Sequence, residues 1–126
     1  NGNGLAGGNV SYYKSGWKNL GVTGSNGYIF ALKDGSFGNT TFRLSYKGGS
    51  NQKNSNVSTT PVVYFNTVLA TMKLLNVASE EITSDYAQYY GSGWKTFGAN
   101  HTTTQMELLP GNYTFRIGLN GASNQK

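Results

Sequence analysis

The chain has 126 residues, no cysteine and a formal charge of +5, so neither a disulfide framework nor a thiolate metal site can form. Its ten Lys and Arg are spread along the chain without a basic run, which excludes the usual signature of a phosphate-tracking protein, and no nucleic-acid partner is expected. Eighteen glycines, 13% aromatic residues and only 12% charged residues describe short strands joined by glycine turns, so the expected fold class is all-β.

No run approaches the roughly 18 apolar residues of a membrane helix, and no charged-then-apolar leader is seen, so a soluble chain without membrane insertion is expected. The N-terminal NGNGLAGG contains only turn formers and predicts a loop or unpaired tail. VSYYK alternates as a strand, SGW breaks it, and Leu20-Gly21 is read as a turn. GYIFALK predicts a strand with Ile29 and Leu32 inward, and DGSFGN a turn. TTFRLSYK follows with Phe42, Leu44 and Tyr46 on one face and Thr41, Arg43 and Ser45 on the other. GGSNQKNSN is polar and turn-like, with room for a short edge strand near Gln52 and Lys53.

The stretch Pro61 to Asn76 (PVVYFNTVLATMKLLN) is extended by composition, but its alternation changes phase. Val63 and Phe65 mark one parity; Val68, Ala70, Met72 and Leu74 mark the other, and one face of one sheet cannot bury both. The switch falls at Asn66 and Thr67. The stretch therefore reads as a strand that closes one module and opens the next, a shared connector between module 1 (residues 1–67) and module 2 (residues 68–126). Beyond it, VASEEITSD is the one place where a helical turn is compatible with the residues, and Glu80 and Glu81 are read as linker.

After the connector the first half is written again. Tyr12-Tyr13 returns as Tyr89-Tyr90, and Ser15-Gly16-Trp17-Lys18 as Ser92-Gly93-Trp94-Lys95, 77 positions later (89 less 12). Thr41-Phe42-Arg43 returns as Thr114-Phe115-Arg116, and Ser50-Asn51-Gln52-Lys53 as Ser123-Asn124-Gln125-Lys126, 73 positions later (114 less 41). A shorter turn in the second copy, PGN against DGSFGN, accounts for the smaller offset. Ordered matches at near-constant spacing identify a tandem repeat of about 75 residues, of which the chain holds about 1.7. The expectation is two antiparallel β-sandwich modules, the first lacking its opening strand and the second its closing strand. An open sandwich edge is filled by a neighbouring repeat or by another copy through strand donation, with Val63, Phe65, Val68, Met72 and Leu74 on the assembly strand.

The runs GGNVSYYKSGWKNLG, LLPGNYTFRI and NGASNQK resemble the tandem modules of very large microbial surface proteins, and Leu109 to Phe115 is similar to the Cna-B-like and transthyretin-like β-sandwiches. That resemblance implies Ig-like modules of seven or so antiparallel strands in a stalk, adhesin or fibre at the cell surface, without enzyme activity. Many Cna-B-like modules also carry a Lys-Asn isopeptide bond promoted by an acid after the Tyr strand. Lys73 has a suitable place, but Tyr113 is followed by TFRIGLNG, which holds no acid, so the bond is not expected.

The chemistry-bearing residues support no catalytic cluster. His101 stands alone in a polar loop with no second His and no Cys, so no metal or cofactor is expected. Asp34 with Asn39 supplies one carboxylate, too few for a calcium loop, and turn formation explains both. There is no G-x-S-x-G elbow. Tyr12, Tyr13 and Trp17 and their copies Tyr89, Tyr90 and Trp94, with Lys18 and Lys95 as donors, are candidates for stacking against a polysaccharide, Tyr12, Trp17, Tyr89 and Trp94 foremost, so a non-catalytic carbohydrate-binding pair is the alternative to a fibre of self-associated copies. In the competing reading one Tyr of each pair and each Trp fill the core of a module or the seam between modules, since adjacent strand residues face opposite ways. Sequons stand at Asn9, Asn39, Asn56, Asn100 and Asn112, against roughly three expected by chance from the motif definition, and make glycosylation of an extracellular chain an expectation.

Overall fold

The computed structural model describes residues 3–29, 38–98 and 103–126. The described residues contain no helix, and their strands pair antiparallel throughout. The fold is all-β and of sandwich type. By contact density the chain divides into two compact units, Asn1–Asn66 and Thr67–Lys126.

Unit 1 contains β1 (Asn9–Tyr13), β2 (Trp17–Val22), β3 (Asn39–Tyr46) and β4 (Gly49–Asn56), in the order β2-β1-β3-β4. Tyr12 pairs with Phe42, and both are buried on the inner face. Leu44 and Tyr46 are half-buried on that face, as the alternation of TTFRLSYK predicts. Leu20-Gly21 is not a turn but part of β2. The register shifts between Val10 and Ser11, which face Gly21 and Asn19, so Leu20 is the extra residue of a β-bulge. The polar stretch expected to hold a short edge strand forms the full eight residues of β4. Its turn, Lys47-Gly48, has φ of 48° and 84°, the pair of positive values that a two-residue type I′ hairpin requires.

The N-terminal segment is tied down by Thr23. Gly7 N donates to the Thr23 carbonyl, Thr23 N to the Gly8 carbonyl, and the Thr23 hydroxyl to Leu5 O, with distances of 2.8 to 3.0 Å. Of the strand expected over GYIFALK, Tyr28 and Ile29 lie outside any ladder and residues 30–33 lie outside the described residues.

Unit 2 contains β5 (Val68–Leu75), β6 (Glu81–Ile82), β7 (Tyr86–Tyr90), β8 (Trp94–Gly98), β9 (Thr103–Leu108), β10 (Phe115–Leu119) and β11 (Ala122–Gln125). They form two sheets, β11-β10-β7-β8 and β6-β5-β9. Ala87, Tyr89, Phe97 and Leu108 make the buried centre. Ala70, Met72 and Met106 pack on it from the β5–β9 side, and Tyr113, Phe115 and Ile117 from the other. Tyr89 meets Phe97 and Tyr113 edge-on, each pair with centroids 6.3 Å apart, the aromatic geometry that adds to simple burial. The Tyr113 hydroxyl donates back to Leu109 O at 3.0 Å, a tyrosine corner that fixes the LPGNY turn, and burial pushes its phenol up.

The VASEEITSD segment forms no helical turn. Asn76 Oδ1 accepts from the amides of Ala78 and Glu80, and Asn76 N donates to Glu80 O. This Asx turn competes with the helix for the same backbone groups and aims the chain into β6. Glu81 is thereby a strand residue. Its carboxylate accepts from Lys73 Nζ and from Thr103 Oγ1 at 2.7 Å, and the Lys73 bond first, then that of Thr103, hold it below the ordinary carboxylate value. A depressed folded value means that this contribution to stability is complete above the unfolded pKa of about 4.3 and is lost as pH falls through the folded one. The pair is exposed, so salt screens it. In an NMR titration Glu81 is expected to protonate below the ordinary carboxylate range, and to lose much of that depression in Lys73→Ala.

The phase change in the connector is present, between the odd set that ends at Thr67 and the even set of β5. Val63, Phe65 and Thr67 are half-buried, Val68 and Leu69 are both half-exposed, and Ala70, Met72 and Leu74 then turn inward. Val68 shares their parity and pairs with the buried Leu108, but is half-exposed at the start of the strand. Only Val68–Leu75 joins a ladder; residues 60–67 carry no strand pairing among the described residues.

Candidate functional site

Antiparallel pairing puts directly opposed residues on one face. In unit 1 the outer face of the sheet therefore carries Tyr13 with Trp17, and Ser11 with Asn19 and Arg43, followed by Gln52. Arg43 lays its guanidinium 4.0 Å from the Trp17 ring centroid. Tyr13 meets the same indole edge-on at 5.5 Å and 76°. Trp17 is 38% exposed and Tyr13 52%, so the cluster faces water.

Unit 2 builds the same cluster. Arg116 lies 4.1 Å from the Trp94 centroid, and Tyr90 meets Trp94 at 5.4 Å and 78°. The supporting backbone also matches. The bulge recurs between Ala87 and Gln88, Ser92-Gly93 repeats the φ values of Ser15-Gly16 within about 1°, and Asn120-Gly121 repeats the Lys47-Gly48 turn within about 4°. In each unit Tyr12↔Phe42 or Tyr89↔Phe115 forms the inner pair. Tyr13 and Trp17, like Tyr90 and Trp94, are directly opposed and so share one face, and the bulge lies beyond them along the ladder.

Of the rings singled out from the sequence, Trp17 and Trp94 lie on this outer face, but Tyr12 and Tyr89 are 5% and 3% exposed and belong to the core. Their neighbours Tyr13 and Tyr90 are the open rings. Lys18 and Lys95 pair with Tyr12 and Tyr89, so they sit at the other face and cannot serve as donors beside the indoles. Arg43 and Arg116 hold that place. The repeated Thr-Phe-Arg carried the signal, since the parity that turns Phe42 and Phe115 inward turns each Arg outward.

The remaining candidates are dispersed. Met72 and Leu74 are half-buried in unit 2, Val63 and Phe65 in unit 1, and β5 is bonded on both sides by β6 and β9. Asn9, Asn39 and Asn112 are exposed. Asn56 is half-buried, pairs with Asn39 and accepts from Ser58 N through its side chain. Asn100, His101 and Asp34 lie outside the described residues. Lys73 points outward to Glu81. No group of three or more His, Cys, Asp or Glu able to hold a metal occurs among the described residues.

The architecture and the cluster together define an all-β protein of antiparallel sandwich type that carries an aromatic and arginine surface. Comparison with known proteins found no matching family model, no matching curated protein and no matching solved structure.

Proposed function

We propose that the chain is part of an extracellular structural protein, similar to the Cna-B-like surface modules, in which tandem β-sandwich units extend a fibre or stalk. One observation carries this reading: the four-stranded sheet occurs twice with the same register, bulge, turns and outer cluster. A unit repeated to that detail propagates length because each copy offers the next the same junction. The reading assigns the chain no catalytic role.

Cohesion between copies comes through strand edges in this reading. β5 is the middle strand of its own sheet, so donating it to a second copy requires exchange of the strand, with Met72 and Leu74 leaving one core for another. The purified chain is expected to form fibres or concentration-dependent oligomers in negative stain and light scattering. A monodisperse monomer up to millimolar concentration would reject strand donation. A second reading, a non-catalytic carbohydrate-binding pair, is favoured by the solvent-open rings of Tyr13 and Tyr90.

A further inference from the structure

We infer that the outer face of unit 1, centred on Tyr13, Trp17 and Arg43, binds a polysaccharide whose sugars carry carboxylates, and that the matching face of unit 2 is much the weaker site. The inference rests on the carbohydrate-binding reading and is independent of fibre formation.

Three observations lead to it. The first is an open ring beside a planar donor. Tyr13 is half-exposed, and its electron-rich face suits the electron-poor C–H face of a pyranose. Stacking on Trp17 restricts the Arg43 guanidinium before any ligand arrives, and its planar fork of N–H groups matches a carboxylate in geometry and charge. Hydroxyl and amide groups of Thr41, Gln52 and Asn54 continue the same flat face and suit sugar hydroxyls rather than an apolar partner.

The second is a difference between the copies. Arg116 donates through Nε to Gln88 Oε1 at 2.7 Å, so part of its donor set is already used. The residue opposite Arg43 is Ser11, whose side chain is too short to make the same bond. Among the described residues no carboxylate or amide side chain is hydrogen-bonded to Arg43, and its fork is open.

The third is charge. Asn1–Asn66 contains six Lys or Arg (Lys14, Lys18, Lys33, Arg43, Lys47, Lys53) and one acid (Asp34), a balance of +5. Thr67–Lys126 contains four (Lys73, Lys95, Arg116, Lys126) against four acids (Glu80, Glu81, Asp85, Glu107), a balance of zero. The whole net charge of the chain is thus that of unit 1, and it draws an anionic polymer to that unit.

The test is a titration of the intact chain with a short oligogalacturonate, followed by amide and indole NMR. Saturable shifts are expected at Tyr13, Trp17, Arg43 and Gln52, with smaller ones at Tyr90, Trp94 and Arg116, and the affinity is expected to fall with salt. Arg43→Gln should weaken binding about tenfold or more, the loss of a charge-assisted contact, while the amide signals of Gly7, Gly8 and Thr23, bonded within unit 1, stay in place as a control for its folding. Tyr13→Ala should weaken it also. Equal affinity for the methyl-esterified oligomer would overturn the inference and leave the carbohydrate-binding reading standing. No saturable shift with either form, or tighter binding of a single-stranded oligonucleotide, would reject both. Unchanged binding in Arg43→Gln would overturn the assignment of the site.

Discussion

Leu108→Ala is expected to cost unit 2 about 2 to 5 kcal/mol, the range for removing a buried leucine where the surroundings relax only in part. Leu108 is 1% exposed and lies at the end of β9, where it joins Ala87, Tyr89 and Phe97 in the centre of the core. The neighbours that would have to fill the gap are held. Tyr89 is set edge-on between two rings, and Tyr113 is fixed through its hydroxyl to Leu109 O. A cavity therefore persists, and its lining loses contacts. Small domains have only about 5 to 15 kcal/mol in all, so the loss is a large fraction of the total. Each unit holds one tryptophan, Trp17 or Trp94, and their indole NMR signals report the two units separately. The Trp94 signal is expected to reach its denaturant midpoint well below that of the parent chain. An unchanged Trp94 midpoint would mean that Leu108 is not at the centre of this core.

Gly27→Ala is expected to have a comparable effect on unit 1. Gly27 has φ of +77°, and a Cβ there would stand 2.2 Å from Gly4 Cα and 2.3 Å from Leu5 N. The strain of a left-handed L-residue is roughly 1 to 2 kcal/mol, and forcing two backbones apart adds overpacking of roughly 1 to 3 kcal/mol or more. The neighbouring atoms are main chain and have no rotamer to give. Gly16→Ala separates the two terms, because Gly16 has φ of +117° and nothing within 4 Å of an added Cβ. Gly4→Ala supplies the other half, a Cβ 1.7 Å from Asn26 O without a positive φ. Hydrogen exchange at Gly7, Gly8 and Thr23 is the readout, since their bonds hold the N-terminal segment against the sheet. Protection is expected to disappear in Gly27→Ala and Gly4→Ala and to survive in Gly16→Ala. Protection retained in all three would refute the close approach of Gly4 and Gly27.

These two residues illustrate different degrees of legibility. Leu108 keeps the parity of Met106 along β9, although Leu109 beside it is buried as well. Gly27 looks like any other turn glycine, because the backbone that crowds it comes from the far side of a loop. The same division runs through the candidate site. The copied Tyr-Tyr, Ser-Gly-Trp-Lys and Thr-Phe-Arg runs marked its elements, but the choice between Tyr12 and Tyr13 turned on which member of an adjacent pair faced the sheet interior. Lys18 follows Trp17 in sequence, but neighbours along a strand point to opposite faces, and the cation on the right face arrives from β3, two strands away. VASEEITSD misled through its acids and its lack of glycine, since the Asn76 side chain, just outside that run, decides the backbone path.

By itself the sequence determined the all-β class, the duplicated strand pattern and the change of phase within the connector, because these depend on side-chain periodicity and on spacings that survive without coordinates. Only the tertiary structure decided that unit 2 divides its strands as β11-β10-β7-β8 and β6-β5-β9, that a bulge falls at Leu20 and at Phe97, and that arginine rather than lysine covers each indole. Those features depend on strand order and register, which bring together residues 26 or 22 positions apart (Trp17 with Arg43, Trp94 with Arg116), and no local pattern encodes which strand lies beside which.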